Sequence, residues 1–251
     1  MILYEFPLQE RIRTYLRLEH LFIHLQQLLP RVDAMDHHFA LATLFEILEV
    51  STRSDLKSDL LKDLDKQKHA LDSYRGNPAI AESVLDDVIG QLDQCFEALN
   101  SLPGKIGQTL IENEWLMAIR SRIVIPGGTC GFDLPSYHAW QHKPSSVRQA
   151  QLQQWNLTLK PMADTVHLLL KLLRDSGAPQ KVIVNGGQFQ QSLPQGRTFL
   201  LLRLALDETL ELVPEISGNR LMVSVRLMRQ GEDNRLQAIN EDASLELALC
   251  A

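Results

Sequence analysis

The chain has 251 residues, 45% of them hydrophobic, and a formal net charge of -6 at pH 7. That length and apolar content suffice for one large domain or two modest ones with packed cores. The acidic balance excludes a diffuse grip on nucleic acid, which needs a surplus of lysine and arginine against phosphate, so any basic site must be local.

Three widely spaced cysteines, Cys95, Cys130 and Cys250, fit a reducing compartment better than a disulfide framework and make the cytoplasm the default location. The opening MILYEFPLQERIR lacks the charged and apolar regions of a signal peptide. No run approaches the ~20 apolar residues of a membrane span, so no membrane insertion is expected.

Apolar residues recur at helical spacing from Leu8 through Ile12, Tyr15, Phe22, Leu25 and Leu29, with Pro7 placed as a first-turn proline. A second periodic run, Phe39, Leu41, Leu44, Phe45 and Leu48, follows Asp33 and Asp36, either of which can satisfy free amides at its start. A third carries Leu56, Leu60, Leu64 and Leu71 among dense charges and ends at Gly76-Asn77-Pro78. A fourth uses Val84, Val88, Leu92, Cys95, Phe96 and Leu99, and a fifth is centred on Leu110 to Arg122. The glycines and prolines of IPGGTCGFDLP, Ile125 to Pro135, predict an ordered loop. Helical spacing resumes over Ser145 to Trp155 and Pro161 to Leu173.

Beyond Ser176-Gly177 the period shortens to two, most clearly in RLMVSVRLMR, where Leu221, Val223, Val225 and Leu227 share a face expected to be buried. With TFLLLRLAL, Ser244 to Leu249 and Lys181 to Val184 this predicts four or more antiparallel strands, joined by turns such as Asn185-Gly186-Gly187 and Ser217-Gly218-Asn219. Ile2 to Phe6 alternates like a strand and is expected to cover an edge of that sheet. The expected class is α+β. A helical bundle domain occupies 7–176, and a smaller antiparallel β-sheet domain is built from 1–6 and 177–251.

One pattern in the first helix points to recognition. Arg13, Arg17, His20 and His24 fall on a stripe opposite the apolar one, with Glu10 and Glu19 off its centre. Arginines at this spacing suit carboxylates of a peptide. His20 and His24, like His138 and His142, have the i, i+4 spacing of metal ligands, but no HExxH or CxxC accompanies them and no metal or cofactor is expected. Cys130, Asp133 and His138 define the competing class, a cysteine- or metal-dependent hydrolase working from the Cys130 and His138 region. Arg203 and Arg226 each interrupt an apolar strand, and Arg226 shares its face with Arg220, Met222, Ser224 and Met228. These arginines are read either as plain solvent exposure or as a basic surface continued onto the sheet.

Three blocks together resemble the ZapD family of bacterial cell-division proteins: EFPLQERIRTYLRLE from Glu5, IPGGTCGFDLPSYHAW from Ile125 and PEISGNRLMVSVR from Pro214. The resemblance implies a homodimer without enzymatic activity that binds the C-terminal tail of the division GTPase FtsZ. It further implies that the dimer cross-links filaments into bundles at the mid-cell ring. The family's basic binding positions match Arg13, Arg17, His138 and Arg226. At two other basic positions of relatives this chain carries Glu114 and Met222, and Arg220 is expected to supply part of the missing charge.

Overall fold

The computed structural model describes residues 1–52 and 55–251. Its contacts divide the chain into two compact units, Met1–Leu16 with Leu170–Ala251, and Arg17–Leu169. The class is α+β. Helices fill the N-terminal part, and antiparallel sheets fill the C-terminal part together with an N-terminal strand.

Among the described residues the helices are α1 (Glu10–Leu28), α2 (Ala34–Thr52), α3 (Leu56–Asp72), α4 (Glu82–Asn100), α5 (Gln108–Ile111), α6 (Glu114–Ile123), α7 (Pro135–Gln141), α8 (Ser145–Leu157) and α9 (Lys160–Asp175). In the helical unit α2 packs against α6 and α8, and α3 against α4. Leu41, Leu44, Ile47 and Leu48 of α2 are fully buried, so this helix has little polar surface to spare. Its start is capped by Asp33, whose Oδ1 accepts from the Met35 amide at 2.7 Å.

Several sequence expectations shift here. Pro7 does not open a helix. It closes strand β1 (Ile2–Pro7), which is an edge strand and tolerates a residue without an amide hydrogen. The buried face of α4 is Leu85, Ile89, Leu92 and Leu99, while Val84 is exposed. That rotates the helix by one residue from the valine pattern, and the solvent takes Asp86 and Asp87. The segment around Leu110 to Arg122 is two helices, because the Asn113 side chain accepts from the Leu116 amide at 3.1 Å and starts α6 afresh.

The β unit holds two four-stranded sheets where one sheet was expected. The first has the order β1-β4-β8-β2, with β2 (Gln180–Val184), β4 (Leu201–Leu206) and β8 (Ala243–Cys250). β1 covers its edge, running antiparallel to β4 with Ile2 opposite Leu206 and Phe6 opposite Leu202. The second is built on β6 (Met222–Gln230). One side of β6 takes β5 (Leu212–Gly218), and the other takes β3 (Gln188–Ser192) and then β7 (Leu236–Ala238). The additional strands were hidden by glutamine-rich composition in β3 and by Pro214 in β5, which is again an edge. Both sheets feed one core: Leu202, Leu204, Leu206, Leu245 and Leu247 come from the first, and Val223, Val225 and Leu227 from the second. Leu221, expected on that buried face, lies just before β6 and is 67% exposed.

Arg203 is not part of an open basic surface. It stands opposite Glu5 in the β1–β4 register, with Nε 3.2 Å from the carboxylate. Arg174 at the end of α9 donates to both oxygens of the same Glu5, at 2.8 and 2.7 Å. One half-buried acid thus fastens β1 to two arginines, a geometry that holds better than an exposed pair.

Candidate functional site

The residues singled out for recognition lie in both units. In the β unit are Arg13, near the start of α1, Arg220 in the β5–β6 connection, and Arg226 on β6. In the helical unit are Arg17, His20 and His24 of α1 and His138 of α7. On α1, Ile12, Tyr15, Leu18, Phe22 and Leu25 are buried, which turns Arg17, His20 and His24 outward. The rings of His20 and His24 stand 4.0 Å apart, centroid to centroid.

The arginines differ in what already neutralises them. Arg13 Nε lies 3.2 Å from Glu10 one turn earlier, and Arg226 Nη1 lies 3.7 Å from Glu215, its cross-strand neighbour. Among the described residues no acid lies within ion-pair distance of Arg17 or Arg220. Exposed pairs are worth only about 0–1 kcal/mol, so an incoming carboxylate can displace Glu10 or Glu215 at small cost. Arg17 and Arg220 require no such exchange. Glu114 is exposed in the first turn of α6, where the helix dipole favours an acid, and Met222 opens β6 opposite Ser192.

His138 is presented by a short helix inside a region where glycine and proline dominate the sequence. Pro135 starts α7, and Tyr137 and Trp140 are buried beneath it, so His138 and His142 face outward with ring centroids 4.5 Å apart. Gly131 lies against the His138 ring, where an added Cβ would meet it at 3.2 Å. Trp140 Nε1 donates to Gln151 at 2.7 Å, and Tyr137 Oη is hydrogen-bonded to His38 Nδ1 at 2.8 Å. Burial pushes the Tyr137 phenol far above its ordinary range and the His38 imidazole below its own.

Under α7 lies a buried arginine that sequence reasoning missed. Arg148 donates from Nε to His37 Nδ1 at 2.9 Å, from Nη1 to the carbonyls of Gln141 and Lys143, and from Nη2 to the Val32 carbonyl at 2.7 Å. His37 Nε2 donates in turn to the Arg31 carbonyl at 2.7 Å. An acceptor Nδ1 and a donor Nε2 define the neutral imidazole. Burial is the main force lowering its pKa, with the Arg148 charge adding to it and the Arg31 carbonyl opposing.

Both His37 and His38 therefore bind protons more weakly folded than unfolded. Their contribution to stability is complete above the unfolded value of 6.5 and is lost as pH falls from there toward the lowered folded values. Urea denaturation followed by tryptophan fluorescence should give a constant midpoint between about pH 8 and 7 and a falling one from about 6.5 to 5. A midpoint flat across that acid range would contradict histidines that the fold holds neutral.

The competing catalytic arrangement gains no geometry. Cys130 is exposed, and among the described residues no side-chain hydrogen bond joins Cys130, Asp133 and His138. Their link is the turn itself, in which the amides of Asp133 and Leu134 both donate to the Cys130 carbonyl at 3.0 Å. Among the described residues no group of three or more His, Cys, Asp or Glu side chains converges as a metal site, and no helix is long and apolar enough to cross a membrane.

The fold and these side chains define an α+β protein with a helical unit and a two-sheet β unit, both carrying exposed basic residues. The family model described as the cell division protein ZapD matches residues 16–226. The cell division protein ZapD of Ralstonia pickettii (strain 12J) is 48% identical over 251 residues, covering 100% of this chain and 99% of its own length. The chain belongs to the ZapD family, and its role lies in cell division.

Proposed function

We propose that this protein binds the C-terminal tail of FtsZ and, as a homodimer, cross-links FtsZ filaments into bundles at the division ring in the cytoplasm, without a catalytic step. Arg13, Arg17, His138 and Arg226 are the proposed contacts, with Arg220, His20 and His24 as further contacts. Arg17 is the observation that carries the reading. It is exposed on α1 and has no acid partner among the described residues, so its charge is available to an acidic partner. Membership of a cell-division family supports the choice of partner.

A disordered tail that orders on binding gives up conformational freedom, so a single contact is weak. Filaments present many tails at high local concentration, and a dimer with two sites converts weak binding into cross-linking through geometry alone. Salt should weaken both steps, because exposed charges are screened over about 8 Å at physiological ionic strength.

The test is an anisotropy titration of a labelled FtsZ C-terminal peptide against the wild-type chain and Arg17→Glu. Wild-type binding with about a tenfold rise in Kd for the variant is expected. Equal Kd values would remove the basic stripe from the reading, and absence of wild-type binding would remove the partner. Cosedimentation of FtsZ filaments over a salt series measures cross-linking separately.

A further inference from the structure

In the β unit an open groove of about 490 Å³ runs between the β3–β4 connection, the β5–β6 connection and the residues that follow β1. Leu8, Leu193, Phe199 and Leu221 supply its apolar wall, and Arg197 and Arg220 its charges. We propose that this groove is a subsite for an acidic peptide that places one apolar side chain against Leu221 and Phe199 and its neighbouring carboxylates on Arg197 and Arg220. The proposal rests on the tail-binding reading above and adds to it a pocket and an arginine, Arg197, outside the basic positions matched by motif.

Three observations carry it. First, the groove is held open by backbone hydrogen bonds. The Leu193 amide donates to the Leu221 carbonyl at 2.7 Å, and the Leu8 amide to the Leu200 carbonyl at 2.9 Å. Asn219 Oδ1 accepts from the amides of Leu221 and Met222 at 2.8 and 3.1 Å, which fixes the turn that carries Leu221. A preformed wall costs a ligand little ordering. Second, Leu221 is exposed and Leu8 and Phe199 are half-buried, so apolar surface in reach of solvent is concentrated along this groove. Third, the charges are positioned and accessible. The Arg197 guanidinium sits 5.1 Å from the Phe199 ring centroid, and among the described residues neither Arg197 nor Arg220 has an acid within ion-pair distance. An apolar residue flanked by carboxylates complements this surface, whereas a cationic or wholly apolar segment leaves two desolvated arginines without partners.

The experiment titrates the labelled FtsZ C-terminal peptide against the full chain as wild type, Arg197→Glu and Leu221→Asp. Both positions are exposed, and circular dichroism melting checks that each variant is folded. Arg197→Glu is expected to raise Kd about fivefold at low salt and to lose that effect at about 1 M salt. Leu221→Asp is expected to raise Kd about tenfold, with the loss persisting at high salt because it removes apolar contact. If both folded variants bind within twofold of wild type while Arg17→Glu is weakened, the groove is overturned and the tail-binding reading stands. If the wild-type chain does not bind the peptide, the tail-binding reading fails and the groove proposal falls with it.

Discussion

Replacing Arg148 with methionine is expected to cost the helical unit about 3 kcal/mol, because neutral acceptors lose their shared donor. The substitution keeps most of the side-chain volume, so packing is not the main loss. What disappears is the donor shared by His37 Nδ1 and the carbonyls of Val32, Gln141 and Lys143. The buried acceptor, His37 Nδ1, costs about 1–3 kcal/mol when left without a partner, and the part-buried carbonyls add less because water can reach them. Lysine should restore little, since one ammonium cannot reproduce the planar fork that meets acceptors from three different segments. All three tryptophans, Trp115, Trp140 and Trp155, lie in this unit, so tryptophan fluorescence during urea denaturation reads the effect directly. A midpoint unchanged from wild type would mean that the arginine is solvated and replaceable.

The second large effect is expected in the β unit. Gly187 has φ +72°, and a Cβ added there would lie 2.2 Å from the Ile239 carbonyl oxygen and 2.9 Å from Ile239 Cγ1. The same glycine accepts from the Leu227 amide at 2.8 Å, so its backbone cannot move away without breaking a contact of β6. Gly187→Ala incurs about 1–2 kcal/mol for the left-handed conformation and must displace buried Ile239 as well, for a total of about 3 kcal/mol. Gly186 is the internal control. Its φ is +55°, but a Cβ there meets nothing within 4 Å. Gly186→Ala should show the backbone contribution alone, about 1 kcal/mol. Far-UV circular dichroism over a urea series compares the two variants, and equal losses would show that Ile239 yields freely.

These positions also mark what a single sequence can and cannot convey. The helices were legible because leucines spaced by three and four have few alternatives, and the β-rich part because alternation in RLMVSVRLMR is unambiguous. The phase of α4 was not. Val84 and Val88 each precede by one residue the pair that is buried, Leu85 and Ile89, and only Asp86 and Asp87 decide which pair faces water. Charge pairing was not read in either case: Glu10, placed off the centre of the stripe, pairs with Arg13 one turn on, and the pairing of Glu215 with Arg226 needs strand register. Arg148 and His37 are 111 residues apart in sequence, and nothing in the residues around either announces the other. The groove of Arg197 and Leu221 is assembled from three separate connections, so its composition could be read but not its convergence.

The position of β8 bears on how such a chain can be made. It is the last of the described strands in order of synthesis, yet it sits between β4 and β2, and β1 reaches the same sheet only through β4. Leu206 is therefore needed before Ile2 has a partner, a wait of about 200 residues during which the first strand has no sheet to join. The helical unit, Arg17–Leu169, is one continuous stretch and can assemble while translation continues. A ribosome that stalls before Ala243 would release a finished helical unit joined to a sheet without its middle, which exposes two strand edges to neighbouring chains.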